Sequence, residues 1–163
     1  MSRRGKDLPA DVADQVSGKV LATSQLRGGG WVVLTTTRFI VAGTPSADEQ
    51  RPWHMVDRGE WTSEGNQIQV TWVDGRQPTE LALERDDREL AAIFREMVES
   101  SLVHSEVERL PGGGTLRGTI RRDERGELFS QVSVSGEVRQ DAELDKRVRA
   151  LESRVRAQVG LPA

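Results

Sequence analysis

The sequence predicts an α+β fold, namely an antiparallel β-barrel or half-open sandwich closed by an amphipathic helix and extended by a C-terminal β-hairpin and helix. Short apolar segments rich in β-branched residues follow one another across residues 19–84, separated by turn residues, as antiparallel strands do. From residue 90 onward the apolar side chains recur three and four apart, which is the spacing of one helix face. A second hairpin pattern and a second helical stripe follow after residue 110.

The first half of the chain is predicted to be a short helix followed by a meander of six or seven strands. Leu8, Val12 and Val16 recur at spacing four and predict a helix over about residues 9–16. The segment 67–73 alternates between apolar and polar residues, as a strand with one buried face does. Strands are predicted at 19–26, 31–35, 38–43, 53–61 with a bulge at Gly59, 67–73 and 80–84, with a loop at 44–52 and a hairpin turn at Asp74-Gly75.

Residues 86–104 are predicted to form the amphipathic helix that closes the sheets. Asp86 or Asp87 supplies an N-terminal cap, because an aspartate oxygen accepts the free N–H groups of the first turn. We expect the helix to end near His104. Its apolar face consists of residues three or four apart: Leu90, Ile93, Phe94, Met97, Val98 and Leu102.

The last third of the chain is predicted to be a hairpin followed by a helix. LPGGG at 110–114 interrupts the chain, and the segments 116–122 and 127–134 flank a polar turn. The final helix begins near Asp141 or Ala142. Its apolar stripe is narrow and consists of Leu144, Val148, Leu151 and Val155.

These elements predict a division of the chain into three parts. Residues 1–7 are polar and charged, and we expect them to be disordered. Residues 8–106 hold the meander and the closing helix. Residues 107–163 hold the C-terminal hairpin and helix, which we expect to pack on the first part as a single compact unit.

Composition and charge exclude several classes of function. The chain has 163 residues, 36% of them hydrophobic and 30% charged, and a net charge of −3, so it is not a general polyanion binder. It has no cysteine, which excludes disulfides, thiol catalysis and cysteine-bound metal. No apolar run reaches the roughly 18 residues of a membrane span, and the N-terminus has no apolar core of a signal peptide. We therefore expect a cytoplasmic protein without a membrane span.

Motifs of catalysis, cofactor binding and metal binding are not recognisable. The sequence has two histidines, His54 and His104, and no G-x-S-x-G nucleophile elbow. The glycine runs at 28–30 and 112–114 open strands and lack the lysine of a phosphate-binding loop. Calcium-loop spacing of aspartates is also lacking. We therefore expect no catalytic residue, no cofactor and no metal, and a protein that is not an enzyme.

The order of about seven antiparallel strands and one amphipathic helix resembles that of pleckstrin-homology (PH)-like barrels. VVLTTTRFIVAG at 32–43 resembles the hairpin of bacterial PH-like and GRAM-like domains, in which threonine ends one strand and arginine opens the next. Thr35 and Arg38 occupy those places. The resemblance implies a PH-like domain over residues 8–106. PH-like domains that bind phosphoinositides carry several basic residues in the first hairpin loop, whereas RGGG at 27–30 carries one, so no phosphoinositide binding is expected.

Four further segments carry a second resemblance. They read LTTTR at 34–38, PWHMVDRGEW at 52–61, REMVESSLVH at 95–104 and RRDERGELFSQV at 121–132. Over about residues 8–160 the chain is similar to a conserved family of high-GC Gram-positive bacteria (actinobacteria), a family of unknown function. This resemblance implies a PH-like fold and no particular activity.

Two residue clusters are candidate binding sites. An aromatic cluster with a histidine would serve a small ligand or an enzymatic site, and an arginine hairpin with one aromatic residue would serve weak nucleic-acid binding. Nucleic acid is the less favoured partner, because Asp123 and Glu124 lie among the arginines. The two clusters are Trp53, His54 and Trp61, and Arg117, Arg121, Arg122 and Phe129.

The function that the sequence favours is that of a non-catalytic interaction module. A PH-like architecture leaves a groove between its helix and an open sheet edge, which accepts an extended peptide by strand addition. The narrow apolar stripe of the last helix suits either the sheet or another chain. The partner is therefore predicted to be a protein segment or a second copy in a homodimer.

Overall fold

The structure is a computed structural model that describes residues 8–46, 48–62 and 66–163. In it the chain divides into two compact units, the first ending at Glu99 and the second beginning at Ser100. Residues 1–7, for which disorder is predicted, lie outside the described residues. The predicted α+β class with antiparallel sheets is confirmed.

Two antiparallel sheets form the first unit. One has four strands in the order β1–β2–β3–β4, and the other has three strands in the order β5–β6–β7. A backbone bridge between Leu26 and Leu83 joins them at one corner. The described strands do not close into a barrel, so the unit is a half-open sandwich. Its elements are α1 (Ala10–Ala13), β1 (Val20–Gln25), β2 (Trp31–Thr35), β3 (Arg38–Ala42), β4 (Glu49–Pro52), a 3₁₀ turn (Trp53–Met55), β5 (Val56–Thr62), β6 (Gln67–Trp72), β7 (Thr79–Ala82) and α2 (Arg88–Ser101).

Both sheets and α2 share one hydrophobic core centred on Phe94. The Phe94 ring lies edge-on to the rings of Phe39, Trp53 and Trp61, with centroid distances of 5.8, 5.5 and 5.8 Å. Gly59 of β5 lies directly against this ring, and a Cβ atom there would overlap it. The predicted bulge at Gly59 is therefore wrong: the register shifts between Val56 and Arg58, and Gly59 provides space for Phe94.

The four-stranded sheet is buried on both faces. Its second face packs Val33 and Ile40 against Val12 of α1, and all three are at most 2% exposed. This explains why β2 and β3 read as continuous apolar runs rather than as alternating strands. The helix is shorter than the predicted range 9–16, and its regular part covers Ala10–Ala13.

The hairpin between β2 and β3 depends on one threonine hydroxyl. The Oγ1 atom of Thr35 accepts the N–H groups of Arg38 at 2.9 Å and Thr37 at 3.3 Å, and donates to the Arg38 carbonyl at 3.2 Å. A side-chain oxygen that satisfies backbone groups two and three residues ahead stabilises a tight turn. The TTTR segment therefore encodes the turn through the first of its threonines.

A three-stranded antiparallel sheet and one helix form the second unit. The strand order is β10–β9–β8, so that β8 and β10 are edge strands. Helix α3 packs on one face, where Leu151 and Val155 lie so close to Gly118 that a Cβ atom there would be 2.9 Å from Leu151 Cγ. The elements are β8 (Leu102–Arg109), β9 (Thr115–Arg122), β10 (Leu128–Ser135) and α3 (Ala142–Gln158). The predicted hairpin and last helix are thus confirmed.

Three further sequence predictions of secondary structure are wrong. The strand predicted over 53–61 begins only at Val56, because residues 53–55 form the 3₁₀ turn. Helix α2 ends at Ser101, and residues up to His104 belong to β8 rather than to the helix. Leu102 extends the helical spacing, but the β-branched Val103 and Val107 and the alternation of exposed and half-buried residues favour a strand. The segment 44–52, predicted to be a loop, contains β4, which pairs with β3.

Candidate functional site

Two of the three exposed large apolar side chains among the described residues lie on the edge strand β8. Val107 is 64% exposed and Val103 40%, and the third large exposed apolar residue among the described ones, Val134 at 40%, lies on β10 of the same sheet. Within the described residues β8 pairs with β9 along one side and with no strand along the other. We call the open side of residues 103–109 the β8 edge.

Ion pairs with α3 hold β8 in place from one face of the sheet. Glu108 contacts Arg147 at 2.8 Å and Arg154 at 3.1 Å, while Glu106 contacts Arg154 at 3.4 Å. Glu106 also lies 3.2 Å from the Nε2 atom of His104. These contacts use the half-buried residues of β8, so the exposed residues that alternate with them are not part of the network.

The ion pairs shift the ionisation of both glutamates in the same direction. The hydrogen bond with His104, followed by that with Arg154, holds the pKa of Glu106 below its ordinary value. The hydrogen bonds with Arg154 and then Arg147 do the same to the pKa of Glu108. Partial burial acts against both shifts. Because Arg147 and Arg154 belong to α3, their contacts join β8 to α3 when both glutamates are ionised.

The four residues of the predicted arginine hairpin do not form one surface. Arg121 is 1% exposed and donates through Nη1 to Ser101 Oγ at 3.1 Å. Phe129 is half-buried and lies directly opposite Arg121 in the β9–β10 register. Arg117, on the same sheet face as Arg121, donates to Ser105 Oγ at 3.3 Å. Arg122 is exposed at the strand end and points to the opposite face, where it contacts the Gly126 carbonyl.

The aromatic cluster of the first unit is brought together by the fold. Trp53 and Trp61 both contact Phe94, but Trp53 is 5% exposed and its Nε1 donates to the Thr35 carbonyl at 2.9 Å. Trp53 is therefore a core residue. Trp61 is half-buried, and its indole nitrogen is buried without a hydrogen-bond partner among the described residues. His54 lies half-buried in the 3₁₀ turn, between Trp53 and the start of β5 in the chain.

The described residues of each unit form a shallow cleft. That of the second unit measures 430 Å³ and combines an apolar wall with arginines and carboxylates in similar numbers, so it favours no charge of ligand. That of the first unit measures 480 Å³ and lies between β1 and the loop before α2. Their principal lining residues are Leu110, Val138, Arg139, Glu143 and Leu144 in the second unit and Ser24, Trp31 and residues 84–89 in the first.

The sequence prediction does not identify the β8 edge, because it places residues 102–104 in the helix. The alternation of LVHSEVER at 102–109 is the signal that identifies it.

Among the described residues there is no helix with the length and apolar character of a membrane span. Within the described residues, no group of three or more His, Asp or Glu side chains lies close enough together to hold a metal ion.

Comparison of the chain with protein-family models, with curated proteins and with solved structures gives no match in any of the three.

Proposed function

We propose that this chain is a non-catalytic interaction module of the cytoplasm, which binds a protein segment or a second copy of itself by strand addition at the β8 edge. In this proposal the first unit is a PH-like scaffold and the second unit presents the binding strand. Main-chain hydrogen bonds along the open side of β8 would provide affinity, and its alternating side chains would provide specificity.

A single observation carries the proposal, namely the exposure of the β8 valines. Natural proteins usually protect a long edge strand with charges, prolines or short length, because its free backbone groups recruit other strands. Strand β8 has eight residues and no proline, and its charged Glu106 and Glu108 are paired with arginines of α3. It exposes Val107 at 64% and Val103 at 40%. An apolar side chain on an open edge is expected where another chain covers it.

The PH-like part of the proposal is supported by strand number, order and the closing helix. Four strands and then three, followed by a helix whose Phe94 fills the space between the sheets, match the order that PH-like domains have. The Thr35–Arg38 turn lies in the hairpin that carries the resemblance to PH-like domains. The fold by itself does not specify the partner, because this superfold serves many functions.

Co-purification from the native host tests the module. We expect the tagged chain to retain a protein, or an untagged copy of itself, in comparable amount. Val107→Lys should reduce that recovery at least tenfold, since a lysine at the edge opposes strand addition. Val134→Lys is the matched control on the other edge strand and should leave recovery unchanged. The proposal would be refuted if Val107→Lys retained as much partner as the wild type, or if the wild-type chain retained nothing.

Cell fractionation of the native host tests the cytoplasmic location.

A further inference from the structure

We propose that the strand which pairs with β8 is β8 of a second copy, in an antiparallel arrangement whose two-fold axis passes through Ser105. This inference rests on the proposed function and specifies its partner. The result would be a continuous six-stranded sheet made of two second units.

The hairpin between β8 and β9 determines which backbone groups of β8 point outward. The Leu110 N–H donates to the Gly114 carbonyl at 3.0 Å and closes the hairpin. Hydrogen-bonded and non-hydrogen-bonded pairs alternate along an antiparallel ladder. Glu108 and Glu106 therefore bond to β9, whereas Arg109, Val107 and Ser105 direct their N–H and C=O groups to the open side. A second strand can pair only with these outward groups.

Because outward groups must face outward groups, only a few registers between two copies of β8 are possible, each defined by the residue on the two-fold axis. The side chains that each register places opposite each other discriminate among them. A two-fold axis at Glu106 places Glu106 opposite its own copy, and an axis at Val107 places Glu106 opposite Glu108 of the second copy. Like charges directly opposite each other are destabilising. An axis at His104 leaves Val103 opposite a serine and Glu106 opposite a leucine.

An axis at Ser105 makes every nearby pair complementary. Val103 then lies opposite Val107 of the second copy, and Val107 opposite Val103, so both exposed valines are covered. His104 of each copy lies opposite Glu106 of the other copy, so this pair occurs twice in the dimer. The same two residue types already form a 3.2 Å contact within one chain. Ser105 lies opposite its own copy. The register irregularity between Leu102 and His104 interrupts the regular ladder there and limits the paired segment to about residues 103–107.

Single cysteines test this register, because the chain has no cysteine of its own. Residues that form a hydrogen-bonded pair have Cα atoms about 5.5 Å apart, within the ~4.4–6.8 Å that a disulfide spans. Under mild oxidation Ser105→Cys should therefore form a covalent dimer in high yield. Ser133→Cys, an exposed serine on the same face of the sheet but on β10, is the matched control and should remain monomeric. Equal yields from the two variants would overturn the proposal.

A mixing experiment tests the two valine pairs. Val103→Cys and Val107→Cys should each give little covalent dimer alone, whereas an equimolar mixture should give the disulfide-linked dimer in several-fold higher yield. Dimer from Val107→Cys alone would indicate the axis at Val107 and overturn the register.

Light scattering of the purified wild-type chain separates this inference from the proposed function. We expect the dimer mass to appear as concentration rises. A monomer up to about 1 mM, the range of weak specific association, would overturn the homodimer. If Val107-dependent recovery of another protein from the host persisted in that case, the interaction module would stand with a different partner.

Discussion

At the scale of single residues, Trp53 and Trp61 show how the same side chain has two different roles. Both rings lie edge-on to Phe94, at 5.5 and 5.8 Å. The indole N–H of Trp53 reaches the Thr35 carbonyl at 2.9 Å, whereas that of Trp61 has no hydrogen-bond partner among the described residues. The two tryptophans therefore differ in hydrogen bonding while sharing the same aromatic neighbour.

This difference predicts unequal effects of the same substitution. Trp53→Phe removes the hydrogen bond and leaves the buried Thr35 carbonyl short of a partner, whereas Trp61→Phe removes no hydrogen bond to a described residue. We expect Trp53→Phe to lower the free energy of unfolding by about 1–3 kcal/mol more than Trp61→Phe. Urea denaturation followed by far-UV circular dichroism measures both values. An equal or larger loss with Trp61→Phe would show that the hydrogen bond contributes little.

At the scale of elements, the second unit depends on charge pairing between β8 and α3. Glu106 and Glu108 each contact Arg154, and Glu108 also contacts Arg147. The glutamate side chains are 29% and 24% exposed, so solvent screens the pairs only in part. The helix also begins with a side-chain cap, since Asp141 accepts the Leu144 N–H at 2.9 Å.

The lowered pKa values of Glu106 and Glu108 predict acid sensitivity of this unit. A carboxylate whose pKa is lower in the folded state stabilises the fold above its unfolded pKa, and that contribution is lost as the pH falls through the folded pKa. We expect the wild-type chain to lose more stability between neutral pH and about pH 3 than the Glu106→Gln/Glu108→Gln variant. Thermal unfolding at a series of pH values gives the two profiles. If the stability of the wild type and that of the variant fell in parallel with pH, the ion pairs would not contribute to the acid sensitivity of the fold.

Sequence patterns at the element scale failed where two periodicities overlap. Leu102 is three and four residues from other apolar residues of α2, so it extends the helical stripe. It is also the first residue of the alternating segment that forms β8. A local pattern cannot decide between the two, because pairing with β9 is what stabilises the strand. The short β4 was missed for a similar reason: EQRP has polar composition and becomes a strand by pairing with β3.

At the scale of the whole molecule, the chain consists of two units with separate hydrophobic cores. The core of the first is centred on the Phe94 ring, and that of the second on Leu116, Ile120 and Leu151. The predicted boundary at residue 106 differs from the observed one at Glu99/Ser100 because β8 belongs to the sheet of the second unit. The β8 edge, and with it the proposed assembly, is therefore a property of the second unit.

The proposed assembly predicts a concentration-dependent pattern of amide hydrogen exchange. The amides of Glu106 and Glu108 bond to β9 and should be protected at all concentrations. Those of Ser105 and Val107 point outward and should exchange quickly in dilute solution, then become protected as the dimer forms. Exchange followed by NMR at low and high concentration measures both sets, with Val107→Lys as the variant that stays unprotected. Outward amides whose exchange rates are independent of concentration would contradict the assembly.

The sequence by itself determined the class of fold and most of its elements. Alternation in residues 67–73, the apolar face of α2 and the Asp141 cap are local signals, and each one specifies an element through nearby residues. Only the tertiary structure decided that Trp53 and Arg121 are buried and that residues 102–109 form an open edge. Burial and strand pairing depend on which segments, distant in the sequence, pack against each other or pair. One local amino-acid pattern is compatible with several such arrangements.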